Sequence, residues 1–237
     1  MPGLLYFLMQ TMFKRIKNIS VVVNNVRGNQ LNEDYYLYTK KLFRRWAPLY
    51  NTMEIFASMV RTQVVDFINI RHGSKILDIA TGTGKQAFAF AKKGYDVVGI
   101  DLSEDMLRVA KKTNKYANVE FKNADATNNP FDDNYFDVTC ISLALHDMPI
   151  SIRKKVLSEM VRVTKTTGII VVIDYALPNN KIKKHLIYRF IKFYESKYYP
   201  DFIKYDLHAL LQESGIQIEK ELYVMFGAGI IIKGKKK

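Results

Sequence analysis

The chain has 237 residues, of which 48% are apolar and 13% aromatic, enough for one α/β domain with a smaller appendage. Its single cysteine, Cys140, excludes a disulfide framework and a cysteine-based metal site, and agrees with a cytoplasmic protein. The net charge of +13 belongs to the two ends, because residues 76–180 are neutral while residues 1–75 carry an excess of +7 and residues 181–237 of +6. Such flanks suit an anionic ligand, an anionic membrane surface or RNA, although a compositional bias toward Lys, Asn, Ile and Tyr would produce the same charge.

The first part of the chain, residues 1–50, is expected to form an N-terminal extension that includes a helical cap. Its apolar stretch "GLLYFLMQTMF" is roughly half the length needed to cross a bilayer, and the basic "KRIK" follows it rather than preceding it. We therefore expect neither a transmembrane span nor a signal peptide, but an interfacial helix or a helix packed on the domain. The domain itself is predicted over residues 51–237, opening with a helix over 51–70.

Strand and helix patterns alternate from residue 75, which is typical of a mostly parallel sheet. Ser103 has the position of a helix N-cap, Gly94 that of a C-cap, and Ser151 is expected to open a further helix. Five strands are predicted, over residues 75–80, 96–101, 119–125, 136–145 and 169–177.

The composition changes after Pro178, where residues 178–205 are aromatic and basic and are predicted to form a substrate-side insertion. A capped helix is expected over 206–215, and "IQIEKELYVMFGAGIIIKG" indicates two further strands around a glycine-containing turn. The prediction is an α/β fold with a seven-stranded, mostly parallel sheet that ends in an antiparallel pair.

A glycine turn follows the first predicted strand in "KILDIATGTGKQAFAFAKKG", residues 75–94. The segment "GTGKQA" satisfies G-x-G-x-x-A, and Asp101 lies near the spacing of the acid that binds a dinucleotide ribose. Asp78, however, would lie close to where a pyrophosphate docks and would repel it. S-adenosylmethionine has no phosphate and carries a sulfonium and an ammonium group, which the same acid would attract.

Four segments in order resemble the motifs of class I S-adenosylmethionine-dependent methyltransferases: "LDIATGTG", "GIDLS", "NADA" and "FDVTCISLALHDM". Within that class the chain is most similar to the ubiquinone/menaquinone biosynthesis (methyltransferase type 11) enzymes, which "FRRWAPLYNTME" and the closing "FGAGIIIKGKK" also resemble. The resemblance implies a Rossmann-like fold, S-adenosylmethionine as cofactor, and methyl transfer to carbon or oxygen of a small, apolar or quinone-like acceptor.

Residue types and resemblance together indicate how the cofactor would be held. Gly82 and Gly84 would let the backbone approach the methionine part, and Asp78 would attract its ammonium group. Asp101 would accept the ribose hydroxyls, and Asp125 the adenine amine. The full set of predicted cofactor contacts is Tyr50, Asp78, Ala80, Gly82, Gly84, Asp101, Leu102, Met106, Asp125, Ala126 and Ser142, with Ala80 standing where the general motif has glycine.

His146 resembles a histidine common in the family and is the candidate catalytic residue, as a base near the methyl group. A structural or solvated loop histidine is the competing interpretation. No metal is expected. The alternative function is an RNA methyltransferase or RNA-binding protein that uses the basic flanks, whereas a lipid-soluble acceptor favours peripheral contact with an anionic membrane.

Overall fold

The computed structural model describes residues 54–178, 180–194 and 196–237. The predicted extension over residues 1–50 with its helical cap, the domain boundary at residue 51, and Tyr50 lie outside the described residues. Within the described ranges, no helix is both long enough and apolar enough to span a membrane.

Seven strands form one sheet in the order β3-β2-β1-β4-β5-β7-β6. Strands β1 to β5 run parallel, β7 is antiparallel to β5, and β6 is antiparallel to β7. The fold class predicted from the sequence is thereby confirmed. The strands are β1 (Lys75–Ile79), β2 (Asp96–Asp101), β3 (Val119–Asn123), β4 (Phe136–Ser142), β5 (Thr164–Tyr175), β6 (Ile216–Val224) and β7 (Gly229–Lys236).

Helices connect the strands and cover both faces of the sheet, as right-handed crossovers between parallel strands require. They are α1 (Glu54–Ile68), α2 (Lys85–Lys92), α3 (Glu104–Thr113), α4 (Ile150–Val163), α5 (Lys181–Tyr194), α6 (Tyr199–Lys204) and α7 (Leu207–Glu213). Two short 3₁₀ turns, Leu145–Asp147 and Met225–Gly227, follow β4 and β6.

The sheet separates two hydrophobic clusters, because neighbouring side chains of a strand point to opposite faces. In β1, Leu77 and Ile79 belong to a cluster with residues of α4, α6 and α7. Ile76 belongs to a second cluster with residues of α1, α2 and α3. The result is a three-layer domain in which β1, an interior strand of the sheet, is buried on both sides.

Local sequence signals predicted the ends of some helices and strands correctly and the ends of others incorrectly. Ser103 caps α3, its hydroxyl accepting a hydrogen bond from the Met106 amide at 3.3 Å. Ser151 was expected to open α4, which is wrong: the helix begins at Ile150, after Pro149, without a side-chain cap. Strand β5 begins at Thr164, five residues before the predicted start, since Thr164 pairs with Phe136 and its hydroxyl lies 2.8 Å from that of Thr139.

The parallel strands bring the segments that follow β1, β2, β3, β4 and β5 to one edge of the sheet, where folds of this type bind ligands. Register places Asp101 opposite Asn123 and Ser142 opposite Ile173. Every predicted site residue within the described ranges lies at or just after the carboxyl end of one of these strands, with Asp78 as the penultimate residue of β1, except Met106, which lies in the first turns of α3.

Candidate functional site

The loop after β1 is built from residues in the left-handed backbone region. Ala80 has φ 53°, Gly82 φ 55° and Gly84 φ 79°. The Thr81 amide donates to the Ile100 carbonyl at 2.9 Å and the Gly84 amide to the Thr81 carbonyl at 2.9 Å, so the loop is tied to β2 and closed on itself. Ala80 adopts the conformation that glycine adopts at no steric cost, which explains why the general motif has glycine there.

The two glycines of the loop are required for different reasons. A Cβ on Gly82 would meet no atom of the described residues within 4 Å, so among them this glycine faces open space at the edge of the sheet. A Cβ on Gly84 would lie 2.5 Å from Cζ of Phe121 and 3.1 Å from Cβ of Ala110. Gly84 therefore permits close packing of α2 and the loop on β3 and α3, and its predicted contact with the cofactor stays a prediction.

Asp78 lies beneath the loop rather than on its surface, with a side chain that is 1% exposed. Its Oδ2 accepts a hydrogen bond from the Thr81 hydroxyl at 2.5 Å. Burial raises the pKa of Asp78 to about 7, against the opposing effect of hydrogen bonds from the Thr81 hydroxyl and the Ala87 backbone. At neutral pH this carboxyl is consequently close to its own titration midpoint, and a nearby cation would favour its ionised form.

Asp101, at the end of β2, holds the loop through its carboxylate. Oδ2 accepts from the Gly82 amide at 2.8 Å, and Oδ1 accepts from the Ser103 amide at 2.8 Å. Burial raises its pKa, while these backbone hydrogen bonds act in the opposite direction. Since an ionised carboxylate can accept about four hydrogen bonds, Asp101 retains acceptor positions for a ligand.

The remaining predicted contacts surround this acid. Met106 is buried, and Leu102 is partly exposed. Asp125 follows β3 and accepts from the amide and the hydroxyl of Thr127, each at 2.8 Å, which fixes its carboxylate at the sheet edge. Ala126 and Ser142 are also partly exposed at that edge. The structure thus brings these predicted residues together, and their contacts with a cofactor stay predictions.

His146 is buried in the 3₁₀ turn after β4, with 3% of its surface exposed. Nδ1 lies 2.7 Å from Oδ1 of Asp174, and the His146 amide donates to Oδ2 of Asp174 at 3.2 Å. Because an ionised carboxylate only accepts hydrogen bonds, this contact favours the tautomer in which Nδ1 carries the proton. Nε2 lies 3.5 Å from Oδ2 of Asp147, so a protonated ring would stand between two carboxylates. This arrangement supports the structural interpretation of His146, and the base role stays a prediction.

Arg153, fully buried on α4, joins this turn to α6. Its Nε donates to the Leu145 carbonyl at 2.9 Å and an Nη donates to the Tyr198 carbonyl at 3.3 Å. The guanidinium lies 5.0 Å from the centre of the Phe202 ring. A buried cation with this set of contacts fixes the position of α6 relative to the turn that carries His146.

A cleft of about 240 Å³ lies on the same face of the sheet as α4, between the end of β5 and helices α5, α6 and α7. Tyr175 and Phe202 line it, and their rings also flank His146, with centres 4.7 Å and 6.3 Å from the imidazole. Aliphatic side chains of Ile203, Leu207 and Ile230 complete its apolar part. Tyr175 and Phe202 therefore border both the cleft and the imidazole of His146.

Three residues of the site were not predicted from the sequence: Thr81, Arg153 and Asp174. Asp174 carried the same signal as Asp78 and Asp101, an acid near the carboxyl end of a buried strand, in "VVIDYAL". Arg153 had no such signal, because a basic residue on an amphipathic helix is usually exposed. Among the described residues, no group of His, Cys, Asp and Glu is arranged to hold a metal ion.

Comparisons with known proteins agree with this geometry. Residues 76–168 match the family model described as "Methyltransferase domain". The demethylmenaquinone methyltransferase of Paenarthrobacter aurescens (strain TC1) is 38% identical over 142 residues, which is 58% of this chain and 54% of that protein. The chain thus spans about half the length of the curated relatives it matches.

Solved structures share the fold. A SAM-dependent methyltransferase from Aquifex aeolicus superposes with a TM-score of 0.59 at 21% identity, covering 75% of this chain and 89% of that one. A chain from the complex of the Haloferax volcanii Trm112 methyltransferase activator with the putative methyltransferase gives a TM-score of 0.67 at 15% identity, covering 83% and 96%. The predicted resemblance to class I S-adenosylmethionine-dependent methyltransferases is confirmed, and it is concentrated in residues 76–168, which match the methyltransferase domain model.

Proposed function

We propose that this chain, through its methyltransferase domain, transfers a methyl group from S-adenosylmethionine to carbon or oxygen of a small, apolar, quinone-like acceptor. The observation that carries the proposal is the arrangement of Asp78, Gly82 and Asp101 at one sheet edge, within the segment that matches a methyltransferase domain. The names of the curated relatives, which are demethylmenaquinone methyltransferases, support the acceptor class.

The residues at the edge suit S-adenosylmethionine better than a dinucleotide. Asp101 has acceptor positions left for two ribose hydroxyls. The space over Gly82 is open to a ligand. Asp78, whose pKa is about 7, is stabilised in its ionised form by an ammonium group and destabilised by a pyrophosphate. Binding of an NAD pyrophosphate next to Asp78 would therefore be unfavourable, whereas binding of the ammonium group of S-adenosylmethionine would be favourable.

When bound, S-adenosylmethionine supplies a methyl group that its sulfonium already activates. What the chain must contribute is alignment of the acceptor, exclusion of water and, for an acceptor with an acidic hydroxyl, a place for the departing proton. Tyr175 and Phe202 present an apolar, aromatic wall beside His146, which suits a flat ring. Nε2 of His146, the ring nitrogen that does not contact Asp174, is the atom that would receive the proton.

Calorimetry and a transfer assay test the proposal. Titrations with S-adenosylmethionine, S-adenosylhomocysteine and NAD are expected to show saturable binding of the first two alone. Methyl-labelled S-adenosylmethionine is then incubated with a reduced demethylnaphthoquinone, and label is expected in the quinone fraction. Tighter binding of NAD than of S-adenosylmethionine would overturn the proposal, as would transfer to RNA but not to the quinone.

A further inference from the structure

The turn between β6 and β7 exposes an aromatic side chain completely. Phe226 has φ 56° and is 100% exposed, and Met225 before it has φ 52°. A bulky residue in the left-handed region is unfavourable for the backbone, and full exposure of its ring is unfavourable for solvation. Both costs fall on one residue at the tip of a turn, as is typical of strain at a functional position.

Helix α5 presents a second apolar surface. Ile182 is 73% exposed and Leu186 is 62% exposed. Their spacing of four residues places them on one face of the helix, whereas Ile191 is buried against the domain. The helix has no acidic residue, and its basic side chains are Lys181, Lys183, Lys184, Arg189 and Lys192.

The turn and the start of α5 border one another. A shallow depression is lined by Leu177 and Pro178, which precede the helix, by Tyr223 near the end of β6 and by Gly227 of the turn. Lys184 and Tyr223 also both line the cleft of about 240 Å³ described above. We call the surface formed by Tyr223, Phe226, Ile182, Leu186 and the basic residues of α5 the apolar-basic rim; it lies at the margin of the cleft.

We infer that the apolar-basic rim binds the surface of an anionic lipid bilayer. Phe226, Ile182 and Leu186 would enter the headgroup region while the cations of α5 contact lipid phosphates, a pairing of apolar and basic groups typical of interfacial helices. The inference rests on the proposed function, since a bilayer surface beside the cleft would deliver a lipid-soluble acceptor to Tyr175 and His146 without release into water.

The composition of the rim favours a bilayer over the other occupants. RNA would use the cations and stack on Phe226, but it has no apolar part to cover Ile182 and Leu186. A second copy of the chain, docked through the same face, would bring two helices without acidic residues against each other, which is repulsive. An anionic bilayer complements both the charge and the aliphatic side chains.

Co-sedimentation of the full chain with vesicles tests the inference. Vesicles of phosphatidylcholine mixed with phosphatidylglycerol are expected to bind the protein, in a salt-sensitive way, and vesicles of phosphatidylcholine alone are not. Phe226→Asn removes the ring while keeping a residue that tolerates positive φ, and Ile182→Ser/Leu186→Ser removes the aliphatic pair. Each variant should lower the partition coefficient about tenfold or more.

Matched controls separate the rim from general charge and hydrophobicity. Met59→Ser removes an apolar side chain that is 67% exposed on α1, on the opposite face of the sheet, and should leave binding unchanged. Lys181→Glu/Lys183→Glu should abolish binding, whereas Lys111→Glu/Lys112→Glu on α3, which changes the net charge equally, should weaken it much less.

The inference is overturned if anionic vesicles bind no better than neutral ones, or if the rim variants and their controls lose binding equally. If the protein does not bind vesicles but shifts RNA in a gel, and Ile182→Ser/Leu186→Ser does not change that shift, the occupant of the rim is nucleic acid. If the protein forms a dimer that Phe226→Asn dissociates, the occupant is a second copy of the chain. Calorimetry distinguishes failure of this inference from failure of the proposed function. The affinity of Phe226→Asn for S-adenosylmethionine should equal that of the unmodified chain, whether or not the protein binds vesicles.

Discussion

Nδ1 of His146 lies 2.7 Å from Oδ1 of Asp174, and both side chains are buried. The same carboxylate also accepts the backbone amides of His146, at 3.2 Å, and of Tyr175, at 2.7 Å. One carboxylate therefore joins the end of β5 to the 3₁₀ turn after β4. Tyr175 of β5 and Phe202 of α6, which flank the imidazole, also line the cleft of about 240 Å³, so this contact connects the stability of the domain with the shape of that cleft.

Asp174→Asn replaces one of these acceptor oxygens with an amide donor, which leaves a buried donor without a partner. We expect the free energy of unfolding to fall by about 1–3 kcal/mol, measured by urea denaturation. Asp105→Asn, at an exposed ion pair with Arg108, is the control and should change it by less than about 1 kcal/mol.

His146→Gln tests the base role separately from stability. If Nε2 accepts a proton during transfer, kcat should fall by about 10²–10⁴ while the Kd for S-adenosylmethionine is unchanged. A variant with a lowered Tm but the same kcat per folded molecule would instead assign His146 to structure alone.

Gly84→Ala should destabilise the domain, because the added methyl group lies 2.5 Å from Cζ of Phe121 and the residue has φ 79°. Overpacking and a left-handed alanine together are expected to cost about 2–5 kcal/mol of unfolding free energy. Gly82→Ala places an alanine in the left-handed region but causes no overpacking. Its loss of unfolding free energy should therefore be about 1–2 kcal/mol.

A double variant isolates the steric contribution at position 84. Gly84→Ala/Phe121→Leu should be more stable than the sum of its single variants predicts, as a double-mutant cycle shows. Additive losses would mean that Phe121 is not what makes glycine necessary. The affinity for S-adenosylmethionine is expected to fall more in Gly82→Ala than in Gly84→Ala, because only the space over Gly82 is open.

Asp101→Ala removes a charged acceptor for two ribose hydroxyls together with the support of the Gly82 amide. Binding of S-adenosylmethionine should weaken by about 1.5–3 kcal/mol, or roughly ten- to more than a hundredfold in Kd. Calorimetry measures this, and Asp105→Ala on the next helix serves as control. An unchanged Kd with a collapsed Tm would show that Asp101 only holds the loop.

The affinity for S-adenosylmethionine should depend on pH through Asp78. Burial raises its pKa to about 7 in the free protein, and a bound ammonium group lowers it, so binding releases a proton below pH 7. The affinity is expected to increase as the pH rises from about 5.5 to 7 and then to level off. Asp78→Asn should flatten this profile, and calorimetry in two buffers of different ionisation enthalpy counts the proton.

The same raised pKa predicts the sign of a stability effect. An acid whose folded pKa lies above its unfolded value near 3.8 binds protons more tightly in the folded state, so its ionisation destabilises the fold. That cost is complete above pH 7 and disappears as the pH falls toward 4. The stability difference between Asp78→Asn and the unmodified chain should therefore narrow at low pH, which denaturation at several pH values can check.

The sequence alone predicted the seven strands from residue 75 onward and the helices that connect the parallel ones, because apolar periodicity, caps and glycine turns are local signals. Helices α5 and α6 were not predicted, since residues 178–205 were interpreted only as an aromatic and basic insertion. Strand β2 occupies the predicted residues, Ser103 caps α3, and the acids near the carboxyl ends of β1 and β2 pointed to the ligand edge. The resemblance to methyltransferases rested on those same local segments.

Only the tertiary structure decided which residues that are distant in the chain contact one another. That Gly84 faces Phe121, that Asp174 holds His146 across 28 positions, and that Arg153 is buried follow from which elements pack together. Local patterns carry no such information, because the side chain that fills a space comes from another layer of the fold. The burial that raises the pKa of Asp78 arises in the same way, since it depends on the loop and α2 closing over β1.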